Sequence, residues 1–163
     1  MRVLLNLLEA NPMILGIHHV AISVPDLDRG LAFYRDLLGF EVVQESSWDR
    51  DAPWADQAIG LPETAARMAM LKANNAHIEL WQYSNPPPED RRARPCDHGY
   101  PHFALQVEDI QAEHARLEAG GMTFVGPPVE FGTSAAVYGA DPFGNVIEIY
   151  EIRDPGISQI AKP

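Results

Sequence analysis

The chain has 163 residues, of which 46% are hydrophobic and 21% are charged, and this balance indicates one globular domain with a real core and excludes a disordered chain. The net charge is −11, which disfavours binding to nucleic acid or to an anionic membrane surface. Because Cys96 has no second cysteine to pair with, we expect no internal disulfide and a cytoplasmic location.

Residues 1–13 are predicted to form an N-terminal extension that takes no part in the fold. Their leucines resemble the start of a signal peptide, but Asn6 and Glu9 interrupt the apolar run before it is long enough. No other apolar run approaches the roughly 20 residues that a membrane-spanning helix requires. We therefore expect no membrane segment.

The first structural unit is predicted over residues 14–83. Alternating apolar residues indicate a strand over 17–24, with His19 on the face opposite the core. A helical period over 27–38 follows, with Asp26 or Asp28 as the N-cap and Gly39 at the end. Strand patterns over 40–47, 67–72 and 76–83 complete a βαβββ unit, and the last of them places Glu79 on its non-core face.

An internal repeat predicts a second unit of the same kind. Residues 102–121 match residues 19–38 at an offset of 83, because both segments open with histidine, alternate, and then change to a helical period. The second unit covers 99–153, with strands over 101–107, 122–125, 134–138 and 146–152 and a helix over 110–119. Residues 84–98 contain four prolines and three arginines and are interpreted as a linker or flap, and residues 154–163 form a tail.

Each unit offers a histidine in its first strand and a glutamate in its last, and the four residues are His19, Glu79, His102 and Glu148. If the two units pair into one curved sheet, these side chains converge on a cleft. Two imidazoles and two carboxylates suit one divalent ion such as Ni, Zn, Co, Fe or Mn. His18 competes with His19 for the ligand position, but His19 is preferred because it aligns with His102.

The pocket around this centre is expected to receive a small molecule. The predicted substrate contacts on its strands and walls are His77, Trp48, Trp81, Tyr83, Tyr150 and Arg67. In the linker, Arg91, Arg92 and Arg94 have a spacing that could clamp an anion, although a solvated run of charge is the commoner explanation for such a pattern.

The motifs together resemble the vicinal oxygen chelate superfamily, which includes glyoxalase I, methylmalonyl-CoA epimerase, extradiol dioxygenases, and fosfomycin and bleomycin resistance proteins. The resemblance runs from about residue 14 to residue 152. It rests on IHHVAI at 17–22, AFYRDLLGF at 32–40, IEL at 78–80 and DPFGNVIE at 141–148.

This resemblance implies an α+β fold in which two βαβββ modules form a curved mixed sheet around a metal cleft. It also implies a homodimer and a glyoxalase-like lyase or isomerase that acts on an α-oxygenated carbonyl compound through an enediolate-like intermediate, with Glu148 or Glu79 as the base. Methylmalonyl-CoA epimerase is disfavoured, because residues 65–73 lack the additional acid that such an enzyme would place there.

Two other functions remain open at this point. An extradiol iron dioxygenase needs two histidines and one carboxylate, which His19, His102 and Glu148 would supply. A drug-sequestering protein like those that confer bleomycin resistance would use the aromatic residues without metal chemistry. The complete set of four ligands favours an enzyme.

Overall fold

A computed structural model of the chain describes residues 14–91 and 94–162, so the predictions for the N-terminal extension and for Arg92 lie outside the described residues. The elements of the first half are β1 (His19–Ser23), α1 (Leu27–Leu31) continued by a π-helical segment (Ala32–Leu37), β2 (Glu41–Trp48), α2 (Pro53–Ile59), β3 (Ala65–Lys72) and β4 (His77–Asn85). The elements of the second half are β5 (Phe103–Gln106), α3 (Ile110–Ala119), β6 (Thr123–Phe124), β7 (Val129–Glu130), β8 (Ser134–Ala140) and β9 (Val146–Ile152). None of the described helices is long and apolar enough to cross a bilayer.

The strands form two sheets with matching topology. The first has the order β1-β4-β3-β2 and the second the order β5-β9-β8-β6, with β7 also paired to β8. In each sheet the first strand runs parallel to the last strand of its unit, and the other pairs are antiparallel. The predicted α+β class with two βαβββ modules is therefore confirmed. Among the described strands, none of one sheet pairs with the other sheet, and β1 and β5 each keep one unpaired edge.

The first helix departs from the regular helix predicted over residues 27–38. It begins as expected, because the Asp26 side chain accepts a hydrogen bond from the Arg29 N–H at 3.0 Å. From Ala32 it widens into a π-helical segment, in which the Leu38 N–H donates to the Phe33 carbonyl at 3.0 Å. Within this segment the adjacent Phe33 and Tyr34 are both buried, with 4% and 0% exposure.

One core joins the two modules. Buried side chains of the first helix pack in the same apolar cluster as those of α3 and β9. At its edge the Tyr34 hydroxyl donates to Asp141 Oδ2 at 3.0 Å, and Asp141 also accepts the backbone N–H groups of Phe143 and Asn145 at 2.9 Å. Burial above all, and then the neighbouring Asp141 charge, raise the pKa of Tyr34, so its hydroxyl stays protonated and remains a donor.

Replacing Tyr34 by phenylalanine is expected to lower the free energy of unfolding by about 1.5–3 kcal/mol, the usual contribution of a hydrogen bond to a charged group. The ring would still fill its place in the core, so only the bond to Asp141 is lost. Urea denaturation measures the change. Tyr100→Phe is the matched control because Tyr100 is fully exposed, and equal midpoints for the two variants would contradict the prediction.

Candidate functional site

In the first module the structure brings His19 and Glu79 together. Because β1 and β4 are neighbours in the sheet, the two side chains lie on the same face, and His19 Nε2 is 3.4 Å from Glu79 Oε2. The other ring nitrogen of His19 lies 2.9 Å from Nδ1 of His18. The indole N–H of Trp81 donates to the same Glu79 oxygen at 2.6 Å, so this carboxylate is held from two sides.

The second module repeats the pair with His102 and Glu148. His102 lies immediately before β5 and Glu148 lies in β9, and the distance from His102 Nε2 to Glu148 Oε2 is 3.3 Å. The ring of Tyr138 packs 4.8 Å from the His102 ring, measured between centroids. Tyr138 was not predicted as a site residue, although it lies opposite Glu148 in the antiparallel register of β8 and β9.

The two pairs do not meet within one chain. In the part of the chain that the structure describes, no three histidine, cysteine, aspartate or glutamate side chains are grouped so that they could hold a metal ion. A single chain thus presents two separate half-sites, which we call the first half-site (His19 and Glu79) and the second half-site (His102 and Glu148). The sequence does not decide whether the four residues meet within one chain or across a dimer, and a centre that all four share stays a prediction.

The spacing within each half-site nevertheless fits two ligands of one ion. Nitrogen and oxygen ligands lie about 2.0–2.1 Å from zinc, so two of them at angles between a right angle and a tetrahedral angle are about 2.9–3.4 Å apart. The observed separations of 3.4 and 3.3 Å fall in this range. The donor chemistry and spacing therefore suit a divalent ion, and each half-site offers only two of the four donors that such an ion takes.

Aromatic side chains form a continuous wall beside the first half-site. Trp81 stacks on Tyr83 with ring centroids 5.6 Å apart and an angle of 15°, and Trp48 meets Trp81 edge-on at 5.1 Å. Trp54 extends the wall at 5.4 Å from Trp48. Burial, together with the charge of Glu79, raises the pKa of Tyr83, which keeps its hydroxyl as a hydrogen-bond donor.

The short helix α2 anchors this wall, and the sequence pattern predicted no helix or strand between residues 47 and 67. The Trp48 indole N–H donates to Thr64 Oγ1 at 3.1 Å, and the Thr64 hydroxyl donates to Asp56 Oδ1 at 2.7 Å. Hydrogen bonds from the Thr64 side chain and backbone hold the pKa of Asp56 below its usual range. The signals that could have revealed α2 are Pro53 at its start and Gly60 after its end.

The remaining predicted substrate contacts lie in different parts of the structure. His77 stacks on His18 at 4.8 Å, next to the first half-site, whereas Tyr150 lies two residues beyond Glu148 in the second module. Arg67 donates to Asp28 of α1 at 2.9 Å and so lies on the helix side of its sheet, opposite Glu79. The structure does not bring Arg67 to the other predicted site residues.

A cavity of about 650 Å³ lies between β1, the linker and the start of β5. Tyr83 and His102 are the predicted site residues that line it. Arg91 also lines the cavity, but it pairs with Glu89 at 2.6 Å, and Arg94 pairs with Asp97 at 2.7 Å. These two arginines are thus already neutralised by acidic neighbours in the linker.

A family model described as the Glyoxalase/Bleomycin resistance protein/Dioxygenase superfamily matches residues 16–149 of the chain. Among named relatives, the chain is 32% identical to a 2-epi-5-epi-valiolone epimerase of Actinomyces sp, over 86% of this chain and 81% of the relative. It is 28% identical to a lactoylglutathione lyase of Salmonella typhimurium, over 85% and 93%.

Solved structures show the same likeness. A glyoxalase family protein from Bacillus cereus matches with a TM-score of 0.79 and 25% identity, over 89% of this chain and 99% of that one. Another, from Enterococcus faecalis, matches with a TM-score of 0.65 and 26% identity, over 86% and 100%.

Proposed function

The chain belongs to the Glyoxalase/Bleomycin resistance protein/Dioxygenase superfamily, and we propose that it is a divalent-metal-dependent isomerase or lyase whose active site is shared between two copies of the chain. Its named relatives include an epimerase and lactoylglutathione lyases, which supports an enzyme of this superfamily. The substrate is a small carbonyl compound with an oxygen on the neighbouring carbon. The observation that carries the proposal is the pair of matched half-sites, each with ligand-like spacing.

A twofold dimer would complete both sites at once. If the first half-site of one chain faces the second half-site of the other, symmetry gives two equal centres with two histidines and two glutamates each. The unpaired edges of β1 and β5 support this arrangement, because an open strand edge readily pairs with another chain. In β1, Val20 is 38% exposed, so apolar surface is available along that edge.

When bound, a divalent ion would supply Lewis acidity that stabilises negative charge developing on the carbonyl oxygen of the substrate. His19, Glu79, His102 and Glu148 would hold it. The remaining chemistry is a proton transfer, in which a carboxylate removes the hydrogen from the carbon beside the carbonyl and returns it to the same or the adjacent carbon. This reaction needs a base within hydrogen-bond reach of that carbon.

Glu148 is the better base of the two glutamates. Glu79 Oε2 is occupied by the Trp81 indole, and freeing it breaks a hydrogen bond to a charged group, which costs about 1.5–3 kcal/mol. The Glu148 carboxylate pairs with His102 through Oε2, and no other hydrogen bond or ion pair to it is found among the described residues. Its second oxygen can therefore accept the substrate proton while Oε2 faces the metal position.

The aromatic wall beside Glu79 gives the proposed pocket one flat side. Trp81 and Tyr83 offer broad apolar faces, and the protonated Tyr83 hydroxyl can donate a hydrogen bond to a substrate oxygen. A neutral ring that carries hydroxyl groups fits such a surface. The similarity to a valiolone epimerase makes a cyclic α-hydroxy ketone the first substrate to test.

The test is hydrogen exchange in heavy water. The purified chain, loaded in turn with Ni²⁺, Zn²⁺, Co²⁺, Mn²⁺ or Fe²⁺, is incubated with 2-epi-5-epi-valiolone, lactoylglutathione and simple α-hydroxy ketones. We expect proton NMR to show loss of the signal from the carbon beside the carbonyl, and chelation of the metal to abolish that loss. A protein that binds none of these ions, or exchange that persists after chelation, would refute the proposal.

A further inference from the structure

A second histidine stands directly behind the predicted ligand of the first half-site. His18 Nδ1 lies 2.9 Å from His19 Nδ1, which is hydrogen-bond distance. The His18 ring stacks on His77 with centroids 4.8 Å apart and an angle of 15°. The backbone of His18 is held as well, because the His77 N–H donates to its carbonyl at 3.2 Å. His18 is thus fixed both through its ring and through its backbone.

We propose that His18 is a positioning residue for His19, an inference that rests on the proposed metal-dependent function. A hydrogen bond between two Nδ1 atoms requires a proton on one and a lone pair on the other. If His19 Nδ1 carries the proton and donates the hydrogen bond to His18 Nδ1, the lone pair of His19 lies on Nε2, the atom that faces Glu79 at 3.4 Å. Histidines that bind metals commonly donate their second N–H to such an acceptor.

The duplicated fold provides an internal comparison. In the second module the residue before the histidine is Pro101, which offers no side-chain acceptor. Nδ1 of His102 is buried and has no hydrogen-bond partner among the described residues. The acceptor behind the ligand is therefore a feature of the first half-site.

His18 is also the alternative ligand that the sequence leaves open. Its Nδ1 is engaged with His19, and its ring lies flat against His77. The carboxylate of the first half-site faces His19 instead, through Nε2. These contacts assign the ligand position to His19 and the supporting position to His18.

Two substitutions at position 18 test this role. Asparagine places its side-chain oxygen close to where Nδ1 of histidine lies, whereas leucine has nearly the same shape and no acceptor. We expect His18→Leu to weaken Zn²⁺ or Co²⁺ binding by about 10- to 100-fold, the usual effect of losing a residue that supports a metal ligand, and His18→Asn to recover most of that loss. Thermal unfolding of both metal-free variants checks that the fold is kept.

A second measurement needs no metal. Long-range nitrogen–proton NMR of the metal-free protein in alkaline buffer reports which ring nitrogen of His19 carries the proton. The chains are compared in a Glu79→Ala background, because the Glu79 carboxylate, 3.4 Å from Nε2, would otherwise compete for that proton. In this background we expect the proton on Nδ1 when residue 18 is histidine or asparagine, and a shift toward Nε2 in His18→Leu. An Nε2 proton on His19 while His18 is present, or equal metal affinity in the leucine and original chains, would overturn the inference.

The same data separate this inference from the proposed function. If the original chain binds no divalent ion, the proposed function fails, while the NMR measurement still decides whether His18 sets the tautomer of His19. If the original chain binds metal and the asparagine variant is as weak as the leucine variant, the proposed function stands and the acceptor role of His18 is wrong.

Discussion

Two inactive variants of this chain are expected to restore activity when they form a mixed dimer. One variant loses the first half-site through His19→Ala and Glu79→Ala, and the other loses the second half-site through His102→Ala and Glu148→Ala. If the site is shared as proposed, each homodimer would lack half of the ligands at both centres. A mixed dimer combines one intact first half-site with one intact second half-site, so we expect about half of the original exchange activity and one bound ion per dimer.

Co-expression of the two chains with different affinity tags allows the mixed dimer to be purified and assayed. The control is a mixed dimer of a His19→Ala chain with a Glu79→Ala chain, in which both centres remain damaged because both changes fall in the first half-site. Inactivity of the first mixed dimer, at full metal saturation, would show that the site is not shared between chains.

The second large effect is expected at Glu148. Glu148→Gln keeps the size of the side chain and removes the base, so exchange per bound metal ion should fall by about 10²- to 10⁴-fold, the usual contribution of a positioned general base. Metal occupancy is expected to fall too, because an amide replaces a charged ligand. Exchange rates by NMR and metal content by mass spectrometry measure the two effects separately.

Glu79→Gln is the matched variant. It removes the same charge from the first half-site, where the carboxylate is held by the Trp81 indole. We expect it to lower metal occupancy and to leave the exchange rate per bound ion within about tenfold of the original, well short of the loss that follows removal of a general base. Unchanged metal content and activity in Glu148→Gln, or equal rate losses in the two variants, would contradict the assignment of Glu148 as the base.

The elements that carry the half-sites could be predicted because their patterns are local. Alternation in β4 and β9 placed Glu79 and Glu148 opposite the apolar core, and the repeat paired them with His19 and His102. The helix over 110–119 and the strand over 146–152 were predicted with the bounds that the structure has. Sequence period and side-chain type were sufficient for these features.

The relation between the two half-sites depends on information that is not local. Whether two modules place their ligands together in one chain is decided by which helix surfaces pack in the core, and an apolar stripe does not specify its partner. Arg67 illustrates the same limit. Arg67 lies on the same face of β3 as the buried Ala69 and Leu71, because every second residue of a strand points to one side. It therefore faces the helix side of the sheet, where Asp28 neutralises it. The helix α2 was missed because a segment of seven residues is too short to reveal a helical period in the sequence.

The bond from Tyr34 to Asp141 has a consequence for how such a protein diversifies. Asp141 organises the turn that leads into β9, the strand that carries Glu148, while Tyr34 belongs to the opposite module. The turn that leads into this strand in one module is thus held in part by a side chain of the other module. We therefore expect a module exchanged between related chains to keep its strand in place only where both members of this pair are present.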